Sequence, residues 1–214
     1  MTKGAFILID GPNGTGKSTA MRTAAEKLRA DGYDVLETRE PGGTPLAEKL
    51  RGLVLDSSNR MDTVTQLLIF NAARRSHIQE VINPNVEAGR IVLCDRFLPS
   101  SLVFQSLNPD GTPNLSDELI LDAHRQFCFG RLPDLTLYLD APLHVRRERI
   151  AGRAGAPADR FEEYESAFDI ACAEKFQACV DLLPNASVTI DASGTPEAVA
   201  ESVHGSIREH LAKS

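Results

Sequence analysis

The chain has 214 residues, 42% of them apolar and 25% charged, with a formal net charge of -7. That length allows a full hydrophobic core. The acidic balance excludes a broad nucleic-acid-binding face, which needs clustered Lys and Arg against phosphates, but leaves room for a small phosphorylated ligand held by a local basic cluster. No apolar stretch reaches the roughly 20 residues of a membrane span, and the run at residues 5–9 is too short for the apolar part of a signal peptide. A cytoplasmic protein is expected. The four cysteines, Cys94, Cys128, Cys172 and Cys179, form no C-x-x-C pair and read as packed, reduced thiols.

The first element is an apolar run at residues 6–9 that leads into Gly11-Pro12-Asn13-Gly14-Thr15-Gly16-Lys17-Ser18-Thr19. This matches G-x-x-x-x-G-K-[ST] between a strand and a helical pattern at 17–30. Its glycines let successive backbone N–H groups turn inward on phosphate oxygens, and the helix adds its positive end. Lys17 is expected to reach the β- and γ-phosphates of ATP, and Ser18 to ligate Mg²⁺. Asp31-Gly32 ends the helix, and a second short strand at 35–36 leads to Thr38-Arg39-Glu40-Pro41-Gly42-Gly43-Thr44. In an open α/β sheet ligands gather at the carboxyl ends of strands, so Arg39 is a candidate for neutralising phosphate during transfer.

Helices are predicted at 45–55 and 61–87. In the second, Phe70 and Arg74 stand four apart on one face: a ring able to stack on a base, with a guanidinium able to donate to its carbonyls. A third strand at 91–94 runs into Asp95-Arg96-Phe97. Asp95 is placed for Mg²⁺ and Arg96 for an acceptor phosphate. Gln105 offers paired hydrogen bonds to a base edge. Helices follow at 116–129, 143–150, 160–183 and 196–211, with strands at 135–139 and 188–190. Strands alternating with helices predict a three-layer α/β sandwich around a parallel sheet, in a single domain. The small, polar segment at 151–159 reads as a mobile lid, with Arg153 and Arg160 at its ends. Arg146 and Arg147 read as a solvated helix face.

Together the motifs resemble the thymidylate kinase family. The resemblance spans nearly the whole chain and rests on Ile9-Asp10-Gly11 with the phosphate loop, on residues 38–44 and 46–51, on Phe70-Asn-Ala-Ala-Arg74, and on Asp95-Arg96-Phe97 with Ser100-Ser101 and Phe104-Gln105. It also rests on residues 133–140 and on Asp159-Arg160-Phe161-Glu162. It implies ATP-dependent conversion of dTMP to dTDP with Mg²⁺, on a five-stranded parallel sheet of the P-loop nucleoside monophosphate kinases. It further implies a catalytic set of Lys17, Arg39, Asp95, Arg96 and the lid arginine Arg153, with the metal at Ser18 and Asp95. Residues 11–19 would hold ATP. The acceptor would meet Asn13, Arg39, Pro41, Leu50, Arg51, Phe70, Arg74, Arg96, Ser101, Phe104 and Gln105. The family is commonly homodimeric through its long helices. Asn13 departs from the usual Asp or Glu, Phe97 and Phe104 from the usual Tyr, and Ala171 and Phe176 from a frequent Arg and Tyr.

Other readings compete. The acceptor could be dUMP or a 5-modified deoxyuridylate. A deoxynucleoside kinase would use Glu40 as base, but the Pro-Gly-Gly that follows favours an acceptor carrying phosphate. A non-catalytic ATP-binding scaffold conflicts with the intact Lys17, Ser18, Asp95 and Arg96.

Overall fold

A computed structural model describes residues 4–152 and 166–213. The elements run β1 (Ala5–Asp10), α1 (Lys17–Ala30), β2 (Val35–Arg39), α2 (Pro45–Leu55), α3 (Thr63–His77), a π-helical turn (Ile78–Ile82), α4 (Asn83–Glu87), β3 (Ile91–Asp95) and α5 (Leu98–Phe104). They continue with α6 (Asp117–Phe127), β4 (Leu135–Asp140), α7 (Leu143–Ala151), α8 (Ser166–Leu182), β5 (Ala186–Asp191) and α9 (Pro196–Lys213). The strands form one parallel sheet in the order β2-β3-β1-β4-β5.

Alternation along β1 divides the core. Ala5, Ile7 and Ile9 pack with Ala24, Leu28, Val203 and Ile207 of α1 and α9 on one face. Phe6 and Leu8 pack with Ile78, Leu102, Phe168 and Phe176 on the other. Every residue of β1 is buried, as a central strand covered on both faces requires. This is the predicted three-layer α/β sandwich with five parallel strands. Among the described residues no helix is long and apolar enough to cross a membrane.

One predicted element differs, and one element is new. The stretch expected as one helix at 61–87 starts at Thr63, because the Asp62 carboxylate caps it by accepting from the Thr65 N–H at 2.7 Å. It then widens into the π turn before α4. Pro84 carries no N–H to bond the preceding turn, and the widening lies just ahead of it. The short helix α5 was not foreseen; it opens on Leu98-Pro99, where a proline costs no hydrogen bond.

Behind the site, His124 of α6 is buried, edge-on to the Phe97 ring at 5.7 Å between centroids. Its Nε2 donates to the Arg131 carbonyl at 2.9 Å, and Nδ1 has no partner. Burial pushes its pKa down to about 4 from an ordinary 6.5. The unfolded chain therefore binds a proton between those values while the folded one does not, and stability falls as pH drops through that window. Urea unfolding is expected to show about 2 kcal/mol less stability at pH 5 than at pH 7 from this residue. His124→Gln, which keeps a donor for Arg131, is expected to remove that share; equal slopes for the two proteins would refute the assignment.

Candidate active site

All strands are parallel, so the segments after β1, β2 and β3 emerge at one edge of the sheet. They enclose a cavity of about 620 Å³. The phosphate loop forms one end of it. Gly14 sits at φ 84°, and a Cβ there would lie 2.5 Å from the Arg146 carbonyl oxygen of α7, so only glycine fits. Lys17 is buried and donates from Nζ to the Gly11 and Pro12 carbonyls, both at 2.9 Å. Residues 13–19 line the cavity; Gly11 and Pro12, expected with them, do not.

Ser18 Oγ donates to Asp95 Oδ2 at 2.6 Å, and Asp95 Oδ1 is buried without a partner. Two oxygen ligands, one of them unsatisfied, suit a hard divalent cation. Among the described residues no group of three or more His, Cys, Asp or Glu side chains gathers for a metal, so a cation here would complete its shell with water and phosphate oxygens.

Arg96 follows at the end of β3 with φ 73°. Nη1 donates to Ser100 Oγ at 2.9 Å and Gly11 O at 3.4 Å, and Nη2 donates to Asn13 Oδ1. Its guanidinium lies 5.3 Å from the Phe104 ring centroid. Beneath it, Asp10 is fully buried and accepts from the Gly11, Phe97 and Ser100 N–H groups and from Ser100 Oγ. Burial raises the Asp10 pKa, while Arg96 and Lys17 oppose the rise. Asp10 and Ser100 thus hold Arg96 from below, a role not legible when the sequence alone is read.

The other end of the cavity is lined by Pro41, Arg51, Leu55, Phe70, Arg74, Ser101, Phe104 and Gln105. Arg74 is buried. Its Nε donates to Glu40 Oε2 at 2.7 Å, and its Nη2 donates to Phe97 O at 3.1 Å and Ser101 Oγ at 2.9 Å. Its Nη1, and Nε2 of the buried Gln105, have no partner. Arg51 Nη1 donates to the Pro41 carbonyl at 3.0 Å. Phe104 stacks on Phe168 at 6.2 Å between centroids and meets Phe176 edge-on at 6.0 Å. Phe70 is half-buried on the wall.

Three sequence expectations need amending. Leu50 does not line the cavity; Arg51 and Leu55, one helical turn apart, do. Arg39 reaches the cavity but is exposed, and its Nη2 lies 3.0 and 3.1 Å from the two Glu48 oxygens. Arg146, expected on a solvated face, is buried, and its Nε donates to the Ala141 carbonyl at 3.1 Å. Arg147 is exposed as expected. Arg149, not singled out in the sequence, lines the cavity beside Pro196 and Val199 and donates to the Ala192 and Gly194 carbonyls at 2.7 and 2.9 Å. Arg153, Arg160 and the segment carrying Asp159 to Glu162 lie outside the described residues.

A loop shaped for a polyphosphate at one end of the cavity, and a chamber with its own arginines at the other, is the layout of a P-loop kinase that transfers phosphate between two nucleotides. The sequence matches the profile of the thymidylate kinase family over residues 9–203. It is 42% identical over 197 residues to a thymidylate kinase of Rhizorhabdus wittichii, covering 92% of this chain and 93% of that one. It is also 37% identical to a thymidylate kinase of Psychrobacter sp., covering 99% and 100%, and 38% identical to one of Caulobacter vibrioides, covering 99% of each. The chain belongs to the thymidylate kinase family.

Proposed function

We propose that this chain phosphorylates dTMP with ATP, giving dTDP and ADP, with the residue roles that follow. The observation that carries the acceptor is the pair of buried donors without partners, Arg74 Nη1 and Gln105 Nε2, on residues that line the cavity. A buried donor left unpaired costs about 1–3 kcal/mol. A thymine ring supplies carbonyl oxygens to both, whereas cytosine replaces one carbonyl with an amino group that is itself a donor. Phe70 stacks on the ring, and Ser101, Phe104, Pro41 and Arg51 close around base and sugar.

Arg96 grips the acceptor phosphate, and the Asn13 amide faces the sugar hydroxyl. Lys17 exchanges its two carbonyl partners for oxygens of the ATP phosphates, with residues 13–19 wrapping the chain. Arg149, Pro196 and Val199 border the donor base. Mg²⁺ fits the Ser18–Asp95 oxygen pair; when bound it neutralises charge on the β- and γ-phosphates. Arg39 at the rim, released from Glu48, adds charge to the transferring group, and Arg153 acts from the lid. The acceptor hydroxyl equivalent is already an ionised phosphate oxygen, so no general base is required. Catalysis is alignment plus charge stabilisation.

The protein is a homodimer in this reading. Leu46 and Leu53 of α2, Val64 and Leu68 of α3, and Leu119 and Phe127 of α6 are each about half exposed, and a second copy covers them; a monomeric mass in light scattering would count against it. Four free, buried cysteines fit a reducing, cytoplasmic setting.

An acceptor panel with ATP and Mg²⁺ tests the activity: dTMP, dUMP, dCMP, dGMP and thymidine. dTMP is expected to be used best and dCMP about 10- to 100-fold less efficiently, the size of an unsatisfied buried donor. Equal use of dTMP and dCMP would overturn the roles of Arg74 and Gln105, and faster phosphorylation of thymidine than of dTMP would overturn the monophosphate acceptor.

A further inference from the structure

The loop after β2 and the base-facing end of α3 are joined by a buried polar chain in which Glu40 and Arg74 line the cavity while Thr38 and His77 lie behind them. His77 is fully buried at the end of α3. Its Nδ1 lies 3.1 Å from Glu40 Oε1, and its Nε2 lies 2.7 Å from Thr38 Oγ1 of β2. The other Glu40 oxygen takes Arg74 Nε at 2.7 Å. Gly43, at φ 86°, brings the loop so close that a Cβ would lie 2.5 Å from His77 Cδ2. The imidazole is thus wedged between strand, loop and carboxylate.

The hydrogen-bond roles are constrained. A Glu40 carboxylate only accepts, so Nδ1 carries a hydrogen, and the Thr38 hydroxyl satisfies Nε2 in either sense. Glu40 is 5% exposed and has donors on both oxygens, so its carboxylate cannot turn. Arg74 in turn is fixed at Nε by Glu40 and at Nη2 by Phe97 and Ser101, with its guanidinium 5.0 Å from the Phe97 ring centroid. Only Nη1 remains to bond something else. A planar fork held at two corners presents its third in one direction.

We propose that His77 is a positioning residue for acceptor recognition: acting through Glu40, it sets the direction in which Arg74 offers its free N–H to the base. This rests on the reading of Arg74 as a base-facing donor. Glu40 is then a structural anion held between the donors of Arg74 and His77, and not a base for the acceptor. The link also ties base recognition to β2, whose end carries Arg39.

Substitutions that mimic one ring nitrogen at a time separate this role from simple packing. An asparagine amide stands near where Nδ1 stood, and a glutamine amide near where Nε2 stood. His77→Asn is expected to keep KM for dTMP within about 3-fold of the native value, because the donor to Glu40 survives. His77→Gln is expected to raise that KM about 10-fold, the loss of one charge-assisted hydrogen bond, with KM for ATP and the melting temperature matching those of His77→Asn. Combined with Arg74→Ala, His77→Gln is expected to add nothing further, since both act through one group. Equal impairment of the Asn and Gln variants, or a matching rise in KM for ATP, would overturn the inference while leaving the role of Arg74 intact. Arg74→Ala with an unchanged KM for dTMP would overturn the role of Arg74 and the inference with it. Should a His77 variant fail to fold, Glu40→Gln carries the same expectation of a raised KM for dTMP alone, and unchanged constants for both substrates would refute it.

Discussion

Lys17→Ala is expected to lower kcat by on the order of 10³-fold or more while the fold persists. Lys17 is buried in the phosphate loop, and its Nζ donates to the Gly11 and Pro12 carbonyls. Those carbonyls are loop acceptors that solvent can reach once the side chain is gone, so the folded protein loses little. The transferring phosphoryl group loses the cation of the phosphate loop, which Arg96, braced on Asn13 and Ser100 for the acceptor phosphate, does not replace. The effect should appear in turnover more than in ATP affinity, because the backbone N–H groups of the loop still bind the polyphosphate. A coupled assay for ADP, with circular dichroism to check the fold, measures this. A folded variant within tenfold of the native rate would remove Lys17 from the catalytic set.

The phosphate loop was legible because its information is local. Nine consecutive residues between an apolar run and a helical pattern suffice, and the backbone does the binding. Asp95 and Arg96 were legible by position, at the carboxyl end of a strand next to that loop. The sheet was legible because each central strand is buried on both faces and so reads as an unbroken apolar run. The Thr38–His77–Glu40–Arg74 chain was not legible in this way. Its members span the end of a strand, a Pro-Gly-Gly turn and the end of a helix, and polar residues in such places usually face water. Only the tertiary approach of the loop to α3 buries them. Leu50 was misassigned for a related reason: a motif indicates a helix near the pocket, but the rotation of α2 decides which residue faces in, and here it is Arg51 and Leu55. Arg146 and Arg147 are neighbours about 100° apart around α7, one buried and one exposed; composition alone treats them alike.

Arg96→Ala is expected to have the second-largest effect, on the order of 10²- to 10³-fold in kcat/KM for dTMP, as when one preorganised donor to a developing anion is removed. Arg96 holds φ 73°, a conformation that strains alanine as much as arginine, so the substitution alters the side chain without relieving the backbone. Its guanidinium is braced by Ser100 Oγ, Asn13 Oδ1 and the Phe104 ring. Asn13 matters here because it accepts a hydrogen bond without adding negative charge. Among the described residues, the carboxylate oxygen that Arg96 contacts is Asp10 Oδ1, at 3.5 Å. Burial already raises the Asp10 pKa against the pull of Arg96, so removing the guanidinium pushes it further up. Asp10 is then harder to keep ionised in the fold, and the variant should lose stability toward neutral pH relative to acid: a carboxyl whose folded pKa lies above its unfolded one opposes folding as pH rises through both. Arg96→Lys separates the two contributions. It restores a charge for Asp10 and the phosphate but not the planar fork that spans Ser100 and Asn13. It should recover most of the lost stability and only part of the lost kcat/KM. If Arg96→Lys were fully active, charge alone would account for acceptor binding, and the bracing by Asn13, Ser100 and Phe104 would have no part in it.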